Sequence, residues 1–314
     1  MSYITHLHPH LLYTMGGILA IMVIATLVVA ILKRRYPRKD FTELTQRVNS
    51  WWVMAGVFIL AIALSRKISV IFFAFVSFLA LKEYFSIIET RRADRRVLFW
   101  AYLSIPIQYF WIWEAWYGMF IIFIPVFMFL FLPFRMVVIG ETSGYLNAAG
   151  TIHWGLMKTV FCIGHITYLL ALPSDKNPVG GGAALVLYLT FLTQFNDVSQ
   201  YVWGKCLGKH KVVPLVSPGK TWEGLIGGVI TTMFLAFFLA PYLTPLTRYE
   251  STVVGIMIGL GGFIGDITVS AMKRDLGLKD SGTLLPGHGG ILDRINSLMY
   301  TAPLFFHYVY YLYY

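Results

Sequence analysis

The chain has 314 residues, of which 57% are hydrophobic and only 13% charged, and its mean hydropathy is +0.68. Soluble domains carry about 25% charged residues, so this balance excludes a water-soluble globular protein and makes lipid the solvent for most of the chain. The formal charge of +10 is assigned to loops gathered on one face of a membrane, not to a nucleic-acid surface.

Apolar runs occur at about 11–32, 51–65, 69–88, 97–113, 117–134, 155–172, 180–203, 224–243, 252–271 and 295–314. A bilayer core needs roughly 17–25 residues per helix, so the runs predict about ten transmembrane helices, the second and fourth being short. The expected fold is therefore an all-α polytopic integral membrane protein. A barrel is excluded by the length of the runs and their lack of alternation. The first run ends in Lys33-Arg34-Arg35 and is too long for a signal-peptide core, so it is expected to stay as an anchor.

Orientation follows from the basic residues. With the N-terminus outside, inward-facing loops and helix ends hold 21 of the 25 Lys and Arg, leaving Arg66, Lys67, Lys176 and Arg248 outside. This asymmetry predicts both termini outside and an even number of spans. Cys162 lies in an apolar run and Cys206 in a basic loop, which predicts neither a disulfide nor a cysteine metal site. Gly259, Gly261, Gly262 and Gly265 fall inside the ninth run with no strand before them, so they are assigned to close helix packing, not to a dinucleotide fingerprint.

Chemistry is concentrated in one half. Residues 1–150 are apolar helices with generic loops, whereas 151–314 form the expected catalytic membrane region. Asp197, Asp266 and Asp293 sit at the inner ends of predicted spans, and an acid at membrane depth is a functional candidate by default. Asp266, Ser270 and Lys273 recur at helical spacing, as do Asp293, Asn296 and Ser297, so each set shares a face. Between the seventh and eighth runs lie Lys209, Lys211 and then Ser217-Pro218-Gly219-Lys220-Thr221-Trp222-Glu223-Gly224. Lysines supply point charges for phosphate oxygens, and a helix start capped near Thr221 attracts an anion. The next polar loop runs from Lys273-Arg274 through Lys279-Asp280 to Leu285-Pro286-Gly287-His288-Gly289-Gly290-Ile291-Leu292-Asp293-Arg294. A basic, Gly-rich segment flanked by carboxylates suits a nucleoside triphosphate with its metal.

That segment, spanning 270–296, resembles the signature of the phosphatidate cytidylyltransferase (CDP-diacylglycerol synthase) family. The Ser217–Gly224 stretch, and Asp197 followed by Tyr201 and Gly204, are similar to the same family. The resemblance implies Mg²⁺-dependent nucleotidyl transfer from CTP to phosphatidic acid, giving CDP-diacylglycerol and pyrophosphate in phospholipid biosynthesis. It implies catalytic roles for Asp197, Lys273, Arg274, Asp280, His288 and Arg294. It further implies substrate binding by Lys209, Lys211, Ser217, Lys220, Thr221, Glu223, Gly289 and Gly290, with metal held by Asp266 and Asp293. The family pattern ends Asp-Arg-x-Asp, and here the last position is Asn296. Asparagine keeps an oxygen ligand but loses a charge, which weakens any second cation site. The expected setting is a bacterial inner membrane with the site facing the cytoplasm, lipids and CTP as partners, and a homodimer as an allowed assembly. Two rivals stand beside this reading: a divergent member acting on another lipid phosphate or slowed by Asn296, and an ion-coupled transporter. Against the transporter, the unusual residues crowd one membrane face instead of the midplane.

Overall fold

The computed structural model describes residues 8–282 and 289–314; His288, with its expected catalytic role, lies outside them. In chain order the helices are α1 (Pro9–Arg35), α2 (Thr42–Leu64), α3 (Arg66–Ile87), α4 (Arg95–Trp113), α5 (Tyr117–Ile122), α6 (Phe129–Ile139), α7 (Tyr145–Leu156), α8 (Ile163–Leu169), α9 (Gly181–Leu207), α10 (Trp222–Leu243), α11 (Arg248–Asp275), α12 (Ile291–Ile295) and α13 (Leu298–Tyr313). π-Helical stretches at Phe123–Met128 and Met157–Cys162 join α5 to α6 and α7 to α8. No strand occurs among the described residues.

Six of these segments are long and apolar enough to cross a membrane: α1, α2, α3, the joined α5–α6, α10 and α11. The protein is thus an all-helical membrane protein. The other four apolar runs are also helical, at α4, α7–α8, α9 and α13. They fall outside that count for sequence reasons: α9 carries polar residues from Gln194 to Gln200, and α13 has only 16 residues. The second apolar run, expected at 51–65, begins nine residues earlier as helix, at Thr42. Its added turns are polar, with Arg47 paired to Glu43 at 2.5 Å, so they extend the helix past the apolar stretch that predicted it. The last run is not one helix: it breaks at Asn296 and Ser297, between α12 and α13.

Local sequence sets the ends. Thr247 and Glu250 close a reciprocal capping box at the start of α11, which satisfies two backbone donors that the helix would leave orphaned. Thr221 Oγ1 accepts from Gly224 N at 3.1 Å and starts α10. Basic residues close α1 (Lys33, Arg34, Arg35) and α11 (Lys273, Arg274), where they complement the negative end of the helix dipole.

The core sits around α9, whose Ala184 through Leu189 are fully buried. α10 and α11 pack on it, and α13 fills the other side. In contrast α1 buries only Leu11, Met15, Met22 and Val29, and turns Ile21, Ile24, Leu27 and Ile31 outward, the apolar surface a lipid-facing helix presents. Small residues let α11 approach its neighbours. A Cβ on Gly255 would lie 2.5 Å from Met233 Cα, and one on Gly259 3.0 Å from Val229 Cα, both on α10. Close packing is thus what these glycines serve.

Contacts sort the helix ends into two groups. At one end the His10 ring meets Tyr242, Asn177 Nδ2 donates to Leu243 O at 3.1 Å, and Tyr313 Oη donates to Glu250. At the other, α3, the loop before α10, the end of α11 and the start of α12 converge. The polar chemistry lies at this second end.

Candidate functional site

Two helices, one loop and one helix break build the site. α9 contributes Asp197, α11 contributes Asp266, and the α12–α13 break contributes Asn296 and Ser297. Ser297 Oγ lies 3.0 and 2.9 Å from the two carboxylate oxygens of Asp197 and 3.2 Å from Gly262 O. Asn296 Nδ2 donates to Asp266 Oδ1 at 2.7 Å, while Asn296 Oδ1 accepts from Ser297 N at 2.7 Å. Lys220, from the loop before α10, forms an ion pair with Asp266 Oδ2. Lys220, Asp266 and Arg294 all act electrostatically on Asp197. The close approach depends on Gly265, where a Cβ would sit 2.5 Å from Asn296 O and 3.0 Å from Ser297 Cα.

Beneath Asp197 a buried amide network ties the helices together. Gln200 Nε2 donates to Asn196 Oδ1 and Gly259 O, both at 3.2 Å, and Thr232 Oγ1 donates to Asn196 Oδ1 at 3.1 Å. Each such pairing avoids a desolvation cost of about 1–3 kcal/mol; among the described residues Gln200 Oε1 is the atom of this network left without a partner.

Asp293 does not stand open as the sequence suggested. Its Oδ1 accepts from Lys273 Nζ at 2.6 Å. Its Oδ2 accepts from Ser281 N at 3.0 Å, Ser281 Oγ at 2.9 Å and Gly290 N at 3.2 Å. Burial works against the Asp293 charge, but Lys273 and the Ser281 donors outweigh it and hold the carboxyl below the usual range. Both carboxylate oxygens of this expected metal ligand are thus engaged, by an ion pair and by cap donors, and the carboxylate that acts electrostatically with Asp266 is Asp197.

Sequence reasoning missed Glu83 altogether. From the last turns of α3, its Oε1 accepts from Ser281 Oγ at 2.5 Å and Leu292 N at 3.1 Å, and its Oε2 from Ile291 N at 2.7 Å. The signal was present: Glu83 is an acid inside an apolar run, the same criterion that singled out the three aspartates.

The remaining candidates divide. Glu223 accepts from Lys209 N at 3.0 Å and contacts His210 Nδ1 at 2.6 Å, so it shapes the loop before α10. Thr221 is the cap of α10, and Lys209 and Lys211 are exposed beside it. Ser217 O accepts from Lys220 N at 3.1 Å, which turns the loop toward Asp266. Arg274 donates to Val216 O at 3.3 Å and Leu278 O at 3.1 Å, joining the two polar loops. Asp280 is exposed. Gly289 has φ +77°, and a Cβ there would lie 2.7 Å from Asp293 Oδ2.

Arg294 reaches the other way. Its Nε is buried and has no hydrogen-bond partner, and burial lowers its pKa, against the attraction of Asp293 and Asp197. Arg294 and Gln194 line one side of an apolar cleft of about 430 Å³ whose other walls include Phe58, Phe72, Val76, Leu187 and Phe191. A larger cavity, about 940 Å³, lies between α3, α7 and α11 and contains none of the carboxylate cluster.

Hard oxygen donors suit Mg²⁺, which usually takes one or two carboxylates and leaves positions for substrate phosphates. The carboxylates of Asp197 and Asp266 fit that donor set, whereas the Asn296 amide turns its NH₂ toward Asp266. Among the described residues there is no group of three or more His, Cys, Asp or Glu that could hold a metal unaided.

Fold and site together define a helical membrane protein with a carboxylate and lysine centre at one end. The model of the cytidylyltransferase family matches residues 45–312, and the chain belongs to that family. It is a nucleotidyltransferase, which sets the transporter reading aside. The chain is 45% identical over 298 residues to the uncharacterized protein YnbB of Escherichia coli K12, covering 95% of this chain and 98% of that relative. It is 35% identical over 159 residues to a phosphatidate cytidylyltransferase of Staphylococcus haemolyticus, covering 48% of this chain and 59% of the relative. A phosphatidate cytidylyltransferase of Haemophilus influenzae is 42% identical over 135 residues, covering 41% and 46%. The match thus spans about half the length of the relatives that carry an activity.

Proposed function

We propose that the chain is a phosphatidate cytidylyltransferase of the bacterial inner membrane, transferring the cytidylyl group of CTP to phosphatidic acid. The observation that carries this reading is a lysine and carboxylate centre adjoining an apolar cleft, with an unpaired guanidinium nitrogen of Arg294 between them. A soluble nucleotide needs the first, and a lipid phosphate needs the second. In the reaction a phosphate oxygen of phosphatidic acid bonds to the α-phosphorus of CTP, the α–β bridging bond breaks, and pyrophosphate leaves. The attacking oxygen is already anionic, so no protein nucleophile is required.

Lys220 and Lys273 are held against Asp266 and Asp293 and are placed to exchange those partners for phosphate oxygens. Arg294 would receive the lipid phosphate while the acyl chains occupy the cleft, so that water is excluded from one side of the reacting centre. Mg²⁺ held by Asp197 and Asp266 would neutralise charge developing on the transferring phosphate.

The ten helical runs, the two groups of helix ends and the 21 basic residues assigned inside support ten spans with both termini outside and the site toward cytoplasmic CTP. A second reading, another lipid phosphate as acceptor, is favoured by Asn296 occupying Asp266 Oδ1.

The test is turnover of CTP by the purified protein in detergent micelles against a panel of lipid phosphates. Product with phosphatidic acid above all others supports the first reading. Product only with a different lipid phosphate supports the second. No product with any of them overturns both.

A further inference from the structure

α12 has only five residues, too few to hold its own register through internal hydrogen bonds. It nevertheless carries Asp293 and Arg294 and leads directly into Asn296 and Ser297. What fixes it comes from outside. Glu83 accepts from the backbone N–H groups of Ile291 and Leu292 and from the Ser281 hydroxyl. The cradle is cut to the carboxylate: a Cβ on Gly290 would collide with Glu83 Oε1, and one on Gly282 would lie 3.2 Å from Glu83 Oε2. Ser281 has one hydroxyl proton for two carboxylates. Its shorter contact, 2.5 Å, is to Glu83, while its backbone N–H serves Asp293.

We propose that Glu83 is a positioning residue of the transfer reaction, a clamp from the N-terminal half that sets the register of α12 and so of Asp293, Arg294 and Asn296. It acts through backbone donors and touches no reacting atom. Only a carboxylate satisfies the arrangement. Glutamine offers one acceptor oxygen and turns an NH₂ group toward N–H donors.

The activity readout rests on the cytidylyltransferase reading; a second readout does not. In purified Glu83→Gln, kcat with CTP and phosphatidic acid is expected to fall about 10- to 100-fold, the range for removing a supporting hydrogen-bond partner. KM for the lipid should stay near the wild-type value, because the cleft is untouched. Hydrogen exchange at the Ile291 and Leu292 amides should accelerate. Tyr84→Phe, which removes a bond from Tyr84 Oη to Thr151 O one residue along, serves as the control and should leave kcat and that exchange unchanged. Because Gly290 and Glu83 share one contact, Gly290→Ala combined with Glu83→Gln should be no worse than the worse single variant.

If Glu83→Gln does not accumulate, Gly282→Ala gives a smaller displacement of the same carboxylate and is expected to change kcat and exchange in the same direction. Wild-type kcat with unchanged amide protection in the Glu83 variant overturns the clamp. Should wild-type protein turn over no lipid phosphate, the functional reading fails, and exchange at Ile291 and Leu292 alone decides whether the clamp exists.

Discussion

Asn296 donates to Asp266 on one side and accepts from Ser297 N on the other, both at 2.7 Å, so its amide can point only one way. Asn296→Asp would set two carboxylates against each other where a donor and an acceptor now meet. Without divalent cation the variant should melt earlier than wild type, and added Mg²⁺ should restore it, because like charges at this distance need a cation between them. A melting curve with the same Mg²⁺ dependence as wild type would show that position 296 does not govern cation binding. Asp293 yields a prediction about pH. Its folded-state pKa is depressed by Lys273 and the Ser281 donors against the effect of burial, so its stabilisation is present above the unfolded value and fades as pH falls through the folded one. At pH 7 Asp293→Asn should cost about 3 kcal/mol, the scale for removing one partner of a buried ion pair. The gap in Tm between wild type and variant should narrow below about pH 4, the unfolded carboxyl value. A gap that is constant from pH 7 to pH 3 contradicts the assignment.

Among the elements, α11 is the one whose glycines divide their work. Gly255 and Gly259 admit α10, whereas Gly265 admits the backbone of Asn296 and Ser297. A Cβ at 265 would meet backbone that cannot move aside, while one at Gly261 would meet the flexible Leu304 side chain at 3.1 Å. Gly265→Ala should therefore cost about 2 kcal/mol by overpacking and remove most turnover, and Gly261→Ala should do neither. Equal loss in both would place the site elsewhere on the helix. The polar residues of this site were legible in the sequence because acids and lysines stand out against apolar runs. The break between α12 and α13 was not. Residues 295–314 are continuously apolar enough to suggest one helix, and only the bonds of Asn296 and Ser297 to α11 and α9 interrupt it. Glu83 escaped for a related reason: its partners are backbone N–H groups some two hundred positions later, which no spacing in the chain announces. Asp293 was found, but its partners were not, because sequence gives a carboxylate and not the donors that fill it.

At the scale of the whole molecule, alternating helices place the 210–222 loop and the start of α12 at one end, and Leu243, Glu250 and His10 at the other. Native Cys206 is exposed beside the first group, and Tyr249, 81% exposed, lies at the second. An impermeant maleimide should label Cys206 only from the cytoplasmic side, and a Tyr249→Cys substitution only from outside. Reversed labelling would strand the site away from cytoplasmic CTP. The most direct test of the account follows the label of the nucleotide itself. With purified protein, phosphatidic acid and Mg²⁺, radioactivity from the α-phosphate of CTP should enter the lipid phase and that from the γ-phosphate should leave as pyrophosphate. Asp266→Asn, which strips Lys220 of its partner, should abolish the transfer. An α-label that stays in water with every lipid phosphate, or a γ-label that appears in the lipid, would contradict cytidylyl transfer.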